Sequence, residues 1–172
     1  WISYEEASSY KKLKKSLWEI DCFRVGYRDI ASATNERTLA SSIMPKTFHG
    51  NKFPTVVPFR EGQTYRGPNE SEALFLSSVL SSFVMDFLIR RKVMETLNFF
   101  FIYSLPVPRV SNNSSLRELE ICNQIIGRAA RLICIDDRFA DLWNKAYIPD
   151  WKNPEFWYKA PLAKYGPEHE HQ

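Results

Sequence analysis

The chain has 172 residues, of which 44% are hydrophobic, 15% aromatic and 25% charged. This composition excludes a disordered, collagen-like or disulfide-rich chain and predicts a folded globule with a core of its own. The 23 basic and 20 acidic side chains leave a formal charge of only +3, so charge is informative by region rather than in total.

The beginning of the sequence and its cysteines indicate the cellular setting. The sequence starts at Trp1, without Met and without the basic and apolar segments of a secretion signal. Cys22, Cys122 and Cys134 show no Cys-x-x-Cys spacing, and the last two are too far apart on one predicted helix to form a disulfide. We therefore expect a piece of a longer cytoplasmic protein, with small buried cysteines and no metal site.

The first third of the chain is predicted to pass from a helix into a β-rich region. Residues 3–15 have the capping-box spacing and the apolar face of a short amphipathic helix. Apolar residues then alternate with Arg24, Gly26 and Arg28, which predicts a strand with one solvent-exposed side. Two further short strands and two polar turns are predicted after it: strands 38–44 and 55–57, turns 34–36 and 48–52.

Helical periodicity takes over at Asn69. Asn69 and Glu72 have capping-box spacing and open a predicted helix that runs to about residue 92. A membrane span is rejected for this segment, because its apolar run 73–89 is short for a bilayer and contains Asp86. We instead expect the helix to form the core of the domain through an apolar stripe, which consists of Leu76, Leu80, Phe83, Val84 and Phe87.

The remaining elements are one aromatic segment and two helices. Segment 96–105 has the composition of a buried strand, and Pro106 ends it. A second long helix is predicted over 115–135, followed by a short one over 139–147, while the aromatic chain beyond is not assigned. The long helix carries an apolar seam that can pack on another helix or a partner: Leu119, Cys122, Ile126, Ala129 and Ile133.

Together these elements predict an α+β fold. We expect a small, mostly antiparallel β-sheet packed against one core helix, followed by a long helix and a partly irregular C-terminal segment. The chain then divides into an N-terminal amphipathic helix (1–20), a central domain (21–110) and a helical docking segment with its tail (111–172).

The inventory of reactive residues argues against catalysis by this chain. Two of its three histidines lie in the polar tail 168–171, which is typical of a chain end rather than of a metal site. Its six glycines show no phosphate-loop or dinucleotide spacing. The run Asn153-Pro154-Glu155-Phe156 is similar to the Asn-Pro-Pro-aromatic loop of amino-methyltransferases, but Glu155 replaces the second Pro, and we interpret the match as coincidence. We therefore predict no catalytic residue, cofactor or metal in this chain.

The stretch 22–66 has a local excess of positive charge, with seven basic against three acidic side chains. Such an excess suits a polyanionic partner, although a solvated basic face has the same composition. Charge alone therefore leaves the choice between a nucleic-acid surface and an ordinary protein surface open.

Four sequence blocks in a fixed order carry a resemblance to a known family. They are VGYRDIASATNERTLASSIMP (25–45), HGNKFP (49–54), LSSVLSSFVMDFLIRRKV (76–93) and TLNFFFIYSLPVP (96–108). Together they resemble the target-recognition domain of large adenine-specific DNA methyltransferases of restriction-modification and phage-defence systems. The likeness covers about residues 20–110, and one departure is Leu80-Ser81-Ser82, where family members commonly have Leu-Asn-Ser.

The resemblance implies a module that recognises a sequence in double-stranded DNA and positions one adenine for methylation by a catalytic domain outside this chain. The parent protein would use S-adenosylmethionine, and the module would contact DNA and the methyltransferase domain or a partner subunit, but no membrane. Arg, Lys, Asn and Gln read base edges, and Arg and Lys hold phosphates. The candidate DNA-binding residues are Arg28, Asn35, Arg37, Lys46, Asn51, Lys52, Arg60 and Arg66.

Three alternatives stay open at this point. Arg28 and Arg37 lie beside Asp29 and Glu36 and are equally suited to structural ion pairs. A second alternative is that the whole chain is a helical protein-interaction module that uses the 119–133 seam and binds no nucleic acid. A third alternative is a single-strand binder that stacks bases on the aromatic run 99–101, although we expect that run in the core.

Overall fold

The computed structural model describes residues 19–56, 67–111 and 114–158. The fold is α+β, as predicted. The predicted helix 3–15, Val57, Arg60, Arg66 and the tail 168–171 lie outside the described residues. The described elements are β1 (Arg24–Tyr27), β2 (Ser41–Met44), α1 (Glu70–Leu80), α2 (Phe83–Arg90), α3 (Phe99–Tyr103), α4 (Leu116–Ile133), α5 (Ala140–Ala146) and α6 (Pro154–Tyr158), with 3₁₀ helices at Glu19–Asp21, Asp137–Phe139 and Pro149–Lys152.

Strand β1 is the centre of a small antiparallel arrangement. On one edge it pairs with β2 in the register Arg24↔Met44 to Tyr27↔Ser41. On its other edge the segment 52–56 runs alongside, joined by an isolated bridge between Gly26 and Thr55. The predicted strand 55–57 is therefore reduced to a single bridge, and the predicted strand 38–44 to its last four residues.

The prediction that β1 has a solvent-exposed side is wrong, because all four of its residues are buried. Gly26 lies under the ring of Phe53, so closely that a Cβ at position 26 would lie 2.2 Å from a ring carbon. The chain that follows β2 and leads to Phe53 also covers Arg24, which donates a hydrogen bond to the backbone oxygen of Thr47 and pairs with the ring of His49. The side of β1 that was expected to face solvent is therefore covered by the loop that follows β2.

The predicted core helix 69–92 is two helices. The capping box of Asn69 and Glu72 opens α1 as predicted, but α1 ends at Leu80 and Ser82 caps a new helix, α2. The hydroxyl of Ser81 donates to the backbone oxygen of Ser41 at 2.9 Å. Serine hydroxyls at these positions thus favour a turn over helix continuation.

The break changes which side of α2 faces the core. Met85, Asp86 and Ile89 are buried, whereas three members of the predicted apolar stripe are exposed: Phe83 (79%), Val84 (66%) and Phe87 (58%). Their assignment to the core is therefore wrong.

In the described part of the chain no single helix is long and apolar enough to cross a membrane, and the pair α1 and α2 reaches that length and composition only together, with a bend of 57°.

The aromatic segment 96–105 forms the short helix α3 rather than a buried strand. Both edges of β1 are already occupied by β2 and by segment 52–56, so only Thr96 pairs with the loop beyond β1, at Ile30. The edge of the Phe99 ring packs against Tyr27, with ring centroids 5.7 Å apart. Phe100 is exposed, so the expectation that the whole aromatic run lies in the core is wrong.

Helix α4 is confirmed, with a capping box between Ser115 and Glu118. Its buried Ala129 and Ala130 belong to the core into which α1 packs. On another side of α4, Gly127 lets Phe156 and Trp151 approach, and a Cβ at 127 would lie 2.8 and 3.0 Å from their rings. Trp151 and Phe156, which belong to the described part of the segment that the sequence left unassigned, thus form an aromatic cover over α4.

Candidate nucleic-acid interface

Asp86 of α2 fixes the loop that joins β1 to β2 by accepting hydrogen bonds from its backbone. The Asp86 side chain is only 6% exposed, and its Oδ1 accepts hydrogen bonds from the backbone N–H groups of Thr38 and Leu39, both at 2.8 Å. Its Oδ2 accepts from the Arg90 guanidinium at 3.0 Å. A single carboxylate therefore fixes the returning half of the loop to the helix.

The charge of Asp86 is stabilised in the folded chain. Burial works to raise its pKa, but the hydrogen bonds from Leu39, Arg90 and Thr38 and the positive charge of Arg37 outweigh burial and leave the pKa below its ordinary value. Sequence reasoning missed this residue. The available signal was an acidic residue within an otherwise apolar helical run.

Two arginines complete the attachment of the loop. Arg90 donates to the backbone oxygens of Ala33, at 3.2 Å, and Glu36, at 2.8 Å. Arg37 donates to the backbone oxygen of Ser81, and its guanidinium lies 4.7 Å from the centre of the Phe83 ring. Its acidic neighbour is Asp86, 3.7 Å away, rather than Glu36. Arg37 is therefore committed to interactions within the fold.

Arg28 and Asn35 face each other across this loop. Exposed Arg28 donates through Nη2 to the backbone oxygen of Arg37. The hydrogen-bond network orients the Asn35 amide so that its Oδ1 accepts from the Ser32 N–H and from Arg28 Nη2, both at 3.2 Å. The proposed ion pair between Arg28 and Asp29 is not formed, because Asp29 pairs instead with Lys52.

The turn that contains Asn51 and Lys52 lies beside the same loop. The backbone N–H of Asp29 donates to the oxygen of Lys52 at 3.1 Å, and Lys52 Nζ lies 3.3 Å from Asp29 Oδ2 with its side chain 64% exposed. Asn51 is exposed. The structure thus brings four of the predicted residues to one end of the hairpin. We call this group, Arg28, Asn35, Asn51 and Lys52, the loop end.

Lys46 lies at the other end of the hairpin, two residues after β2 leaves its pairing with Arg24. Its Nζ donates to Asp141 of α5 at 2.5 Å and lies 4.9 Å from the centre of the Phe23 ring. The hydrogen bond from Lys46 lowers the pKa of Asp141 below its ordinary value, although burial opposes the shift. We call this contact between the hairpin and α5 the helix end.

A second surface feature is an apolar groove of about 580 Å³ between the α1–α2 break and α4. Its walls include Val84 of α2, Leu132 of α4 and Pro106, which follows α3. Val84 and Leu132 are both exposed. The groove is separate from the loop end and has the character of a docking surface rather than of a site for polar chemistry.

Within residues 19–56, 67–111 and 114–158, no three His, Cys, Asp or Glu side chains are grouped so that they could hold a metal ion. Comparison of the sequence and the structure with protein-family models, curated proteins and solved structures gave no match.

Proposed function

We propose that this chain is the sequence-specific double-stranded DNA recognition module of an adenine-specific DNA methyltransferase. The observation that supports it best is the loop end, where Arg28, Asn35, Asn51 and Lys52 come together on exposed turns. These are the side-chain types that read base edges and hold phosphates. The order of the four sequence blocks, which resembles that family, supports the same function.

The way the loop is held suits recognition. A loop that reads a DNA sequence needs a firmly held backbone and side chains that still have hydrogen-bonding groups available for the bases. Here the backbone is fixed by the carboxylate of Asp86 and by Arg90, while Lys52 stays largely exposed. The fixed backbone lowers the conformational entropy that binding would otherwise cost.

In this proposal the predicted DNA-binding residues have different roles. Arg37, which bonds to Ser81 and lies beside Asp86, positions the loop in this proposal and does not read a base. Lys46 bonds to Asp141 at the helix end and is assigned no DNA contact. Arg60 and Arg66 remain predicted phosphate contacts, and they lie outside the described residues. Methyl transfer from S-adenosylmethionine belongs to the catalytic domain of the parent protein.

The test is a comparison of two exposed arginines. Arg28→Gln removes one charge from the loop end. Arg138→Gln removes one charge from the 3₁₀ helix Asp137–Phe139, in which Phe139 stacks on Phe23 near the helix end. We expect Arg28→Gln to lower affinity for a selected duplex by about 5- to 150-fold, the range for loss of a base contact. Arg138→Gln should leave affinity within twofold. Equal effects of the two variants, or no duplex binding by the unmodified chain, would overturn the proposal.

A second candidate function is a helical protein-interaction module without DNA binding. The apolar groove and the exposed Val84 and Leu132 favour it, because exposed apolar surface of this kind marks interaction sites. It predicts that the chain associates in a concentration-dependent manner, that Leu132→Asp abolishes this association, and that no duplex DNA is bound. Sedimentation at several concentrations, with and without duplex, distinguishes the two functions.

A further inference from the structure

The Arg28–Asn35 pair presents hydrogen-bond donors and no acceptor. Both hydrogens of Arg28 Nη2 have acceptors inside the loop, namely the Arg37 backbone oxygen and Asn35 Oδ1. Its Nε and Nη1 groups make no hydrogen bond within the described residues. A guanidinium has no acceptor, so every group that Arg28 leaves available is a donor.

Asn35 shows the same polarity for a different reason. An amide ordinarily offers one acceptor and two donors. The Asn35 acceptor is turned inward, because Oδ1 receives hydrogen bonds from Ser32 and Arg28, both at 3.2 Å. The NH₂ group on the opposite side makes no hydrogen bond within the part of the chain that the structure describes. The fold therefore converts a side chain of mixed polarity into a donor.

The loop is fixed in a way that preserves this orientation. The Asn35 backbone N–H donates to Ser32 at 3.1 Å, so the amide and its partner belong to one turn. Arg90 holds the backbone oxygens on both sides of Asn35, at Ala33 and Glu36. Rotation of the Asn35 amide would place its NH₂ against the Ser32 N–H and the Arg28 guanidinium, where three donors would face one another.

Base pairs differ in how well they match a surface that offers only donors. In the major groove guanine presents two acceptors, N7 and O6, whereas adenine presents one acceptor and one donor. Asn reads adenine only when its oxygen and its NH₂ both face the base, and the Asn35 oxygen is not available. A donor-only pair therefore matches guanine and leaves the N6 amino group of adenine without a partner.

We infer that the Arg28–Asn35 pair specifies a guanine in the DNA sequence that this chain recognises. This inference rests on the proposed function and adds the base that one part of the loop end selects. The exposed Asn51 makes no side-chain hydrogen bond within the described residues, so its amide keeps both polarities and is not part of this inference. Phosphate oxygens are also acceptors, so a backbone contact by the same pair is the outcome that the test must separate.

The experiment selects duplexes from a randomised library with the full 172-residue chain and with Asn35→Asp. The aspartate has the shape of the asparagine and keeps one oxygen on Ser32 and Arg28, but its second oxygen turns the outward donor into an acceptor. We expect the unmodified chain to enrich sequences with guanine at one position. In Asn35→Asp this preference should fall by about tenfold, with enrichment shifting to cytosine or adenine, whose amino groups donate. Asn144→Asp, which makes the same charge change at an exposed position of α5 outside the loop end, should leave that guanine preference intact.

Each other outcome overturns the inference in a distinct way. An enriched sequence that contains no G·C base pair, or one that Asn35→Asp leaves unchanged, contradicts guanine reading while keeping DNA recognition. A uniform loss of affinity for all sequences in Asn35→Asp indicates a phosphate contact instead and also contradicts it. Absence of any enrichment by the unmodified chain overturns the proposed function together with the inference. Circular dichroism of each variant confirms that it is folded before selection.

Discussion

The two ends of the β1–β2 hairpin use the same kinds of side chain for opposite purposes. At the helix end Lys46 is held by Asp141 and lies over Phe23. At the loop end Arg28 and Lys52 remain exposed, although each also contacts its own loop. The lysine at one end attaches the hairpin to α5, and the cations at the other end present donors to the outside.

The difference shows that local charge excess is a poor guide to function by itself. The stretch 22–66 is rich in basic residues, yet its cations differ in the acids and carbonyls that the fold brings near them. Arg37 illustrates this, because the carboxylate beside it and the carbonyl that it contacts come from the α1–α2 region. The cations that stay exposed despite such partners, Arg28 and Lys52, are the candidates for a polyanion.

The largest expected effect is at the anchor of the loop end. Asp86→Ala removes the acceptor of two buried backbone N–H groups and leaves Arg90 without its carboxylate. We expect the free energy of unfolding to fall by about 3 kcal/mol or more, since buried donors lose their partner. Urea denaturation measures this. The exposed Asp137→Ala is the control and should leave the transition unchanged. A loss of less than about 1 kcal/mol in Asp86→Ala would contradict the anchoring role.

The next effect concerns the packing that places the turn with Asn51 and Lys52. Gly26→Ala would put a methyl group 2.2 Å from the Phe53 ring, so the ring and its turn must move. We expect a loss of about 1–3 kcal/mol in stability, as for other overpacked sites. Gly50→Ala is the matched control, because nothing lies within 4 Å of a Cβ at that position. Equal denaturation midpoints for the two variants would show that the contact with Phe53 is unimportant.

The pH dependence of stability tests the charge of Asp86. Its pKa is lower in the folded chain than in the unfolded one. Its stabilising contribution is therefore fully present above about pH 4, the ordinary pKa of aspartate, and is lost as the pH falls through the lower folded-state value. We expect the stability of the unmodified chain to decline more steeply below about pH 4 than that of Asp86→Asn. Parallel pH profiles of the two proteins would contradict this assignment.

The smallest effect on stability is expected at the helix end. Lys46→Ala removes an ion pair whose two side chains are about half exposed. Such pairs contribute about 0–1 kcal/mol. We therefore expect the free energy of unfolding, measured by thermal denaturation, to fall by no more than about 1 kcal/mol. A loss comparable to that of Asp86→Ala would mean that the two ends are equally structural.

Local signals in the sequence predicted several elements correctly. The capping boxes at Asn69 and at Ser115 mark the starts of α1 and α4, because both partners of each box lie within four residues. The α+β fold also agrees with the sequence. Arg28 and Asn35 lie close together because both belong to the loop between β1 and β2.

The errors have a common physical cause, which is contact between distant segments. The helix break at Ser81 involves a hydrogen bond to Ser41, and the burial of Gly26 depends on Phe53. The roles of Asp86 and Lys46 likewise depend on partners far along the chain. Periodicity within one segment carries no information about such partners.

The proposed function requires that DNA contacts the loop end and not the helix end. Lys52→Gln and Lys46→Gln are matched for this question, because each removes one lysine charge that has an aspartate partner. The dependence of duplex affinity on salt concentration should be measured for both. We expect Lys52→Gln to reduce the magnitude of the logarithmic slope by about 0.9, the value for one phosphate contact, and Lys46→Gln to leave it unchanged. The reverse pattern, or equal slopes for the two variants, would contradict the account.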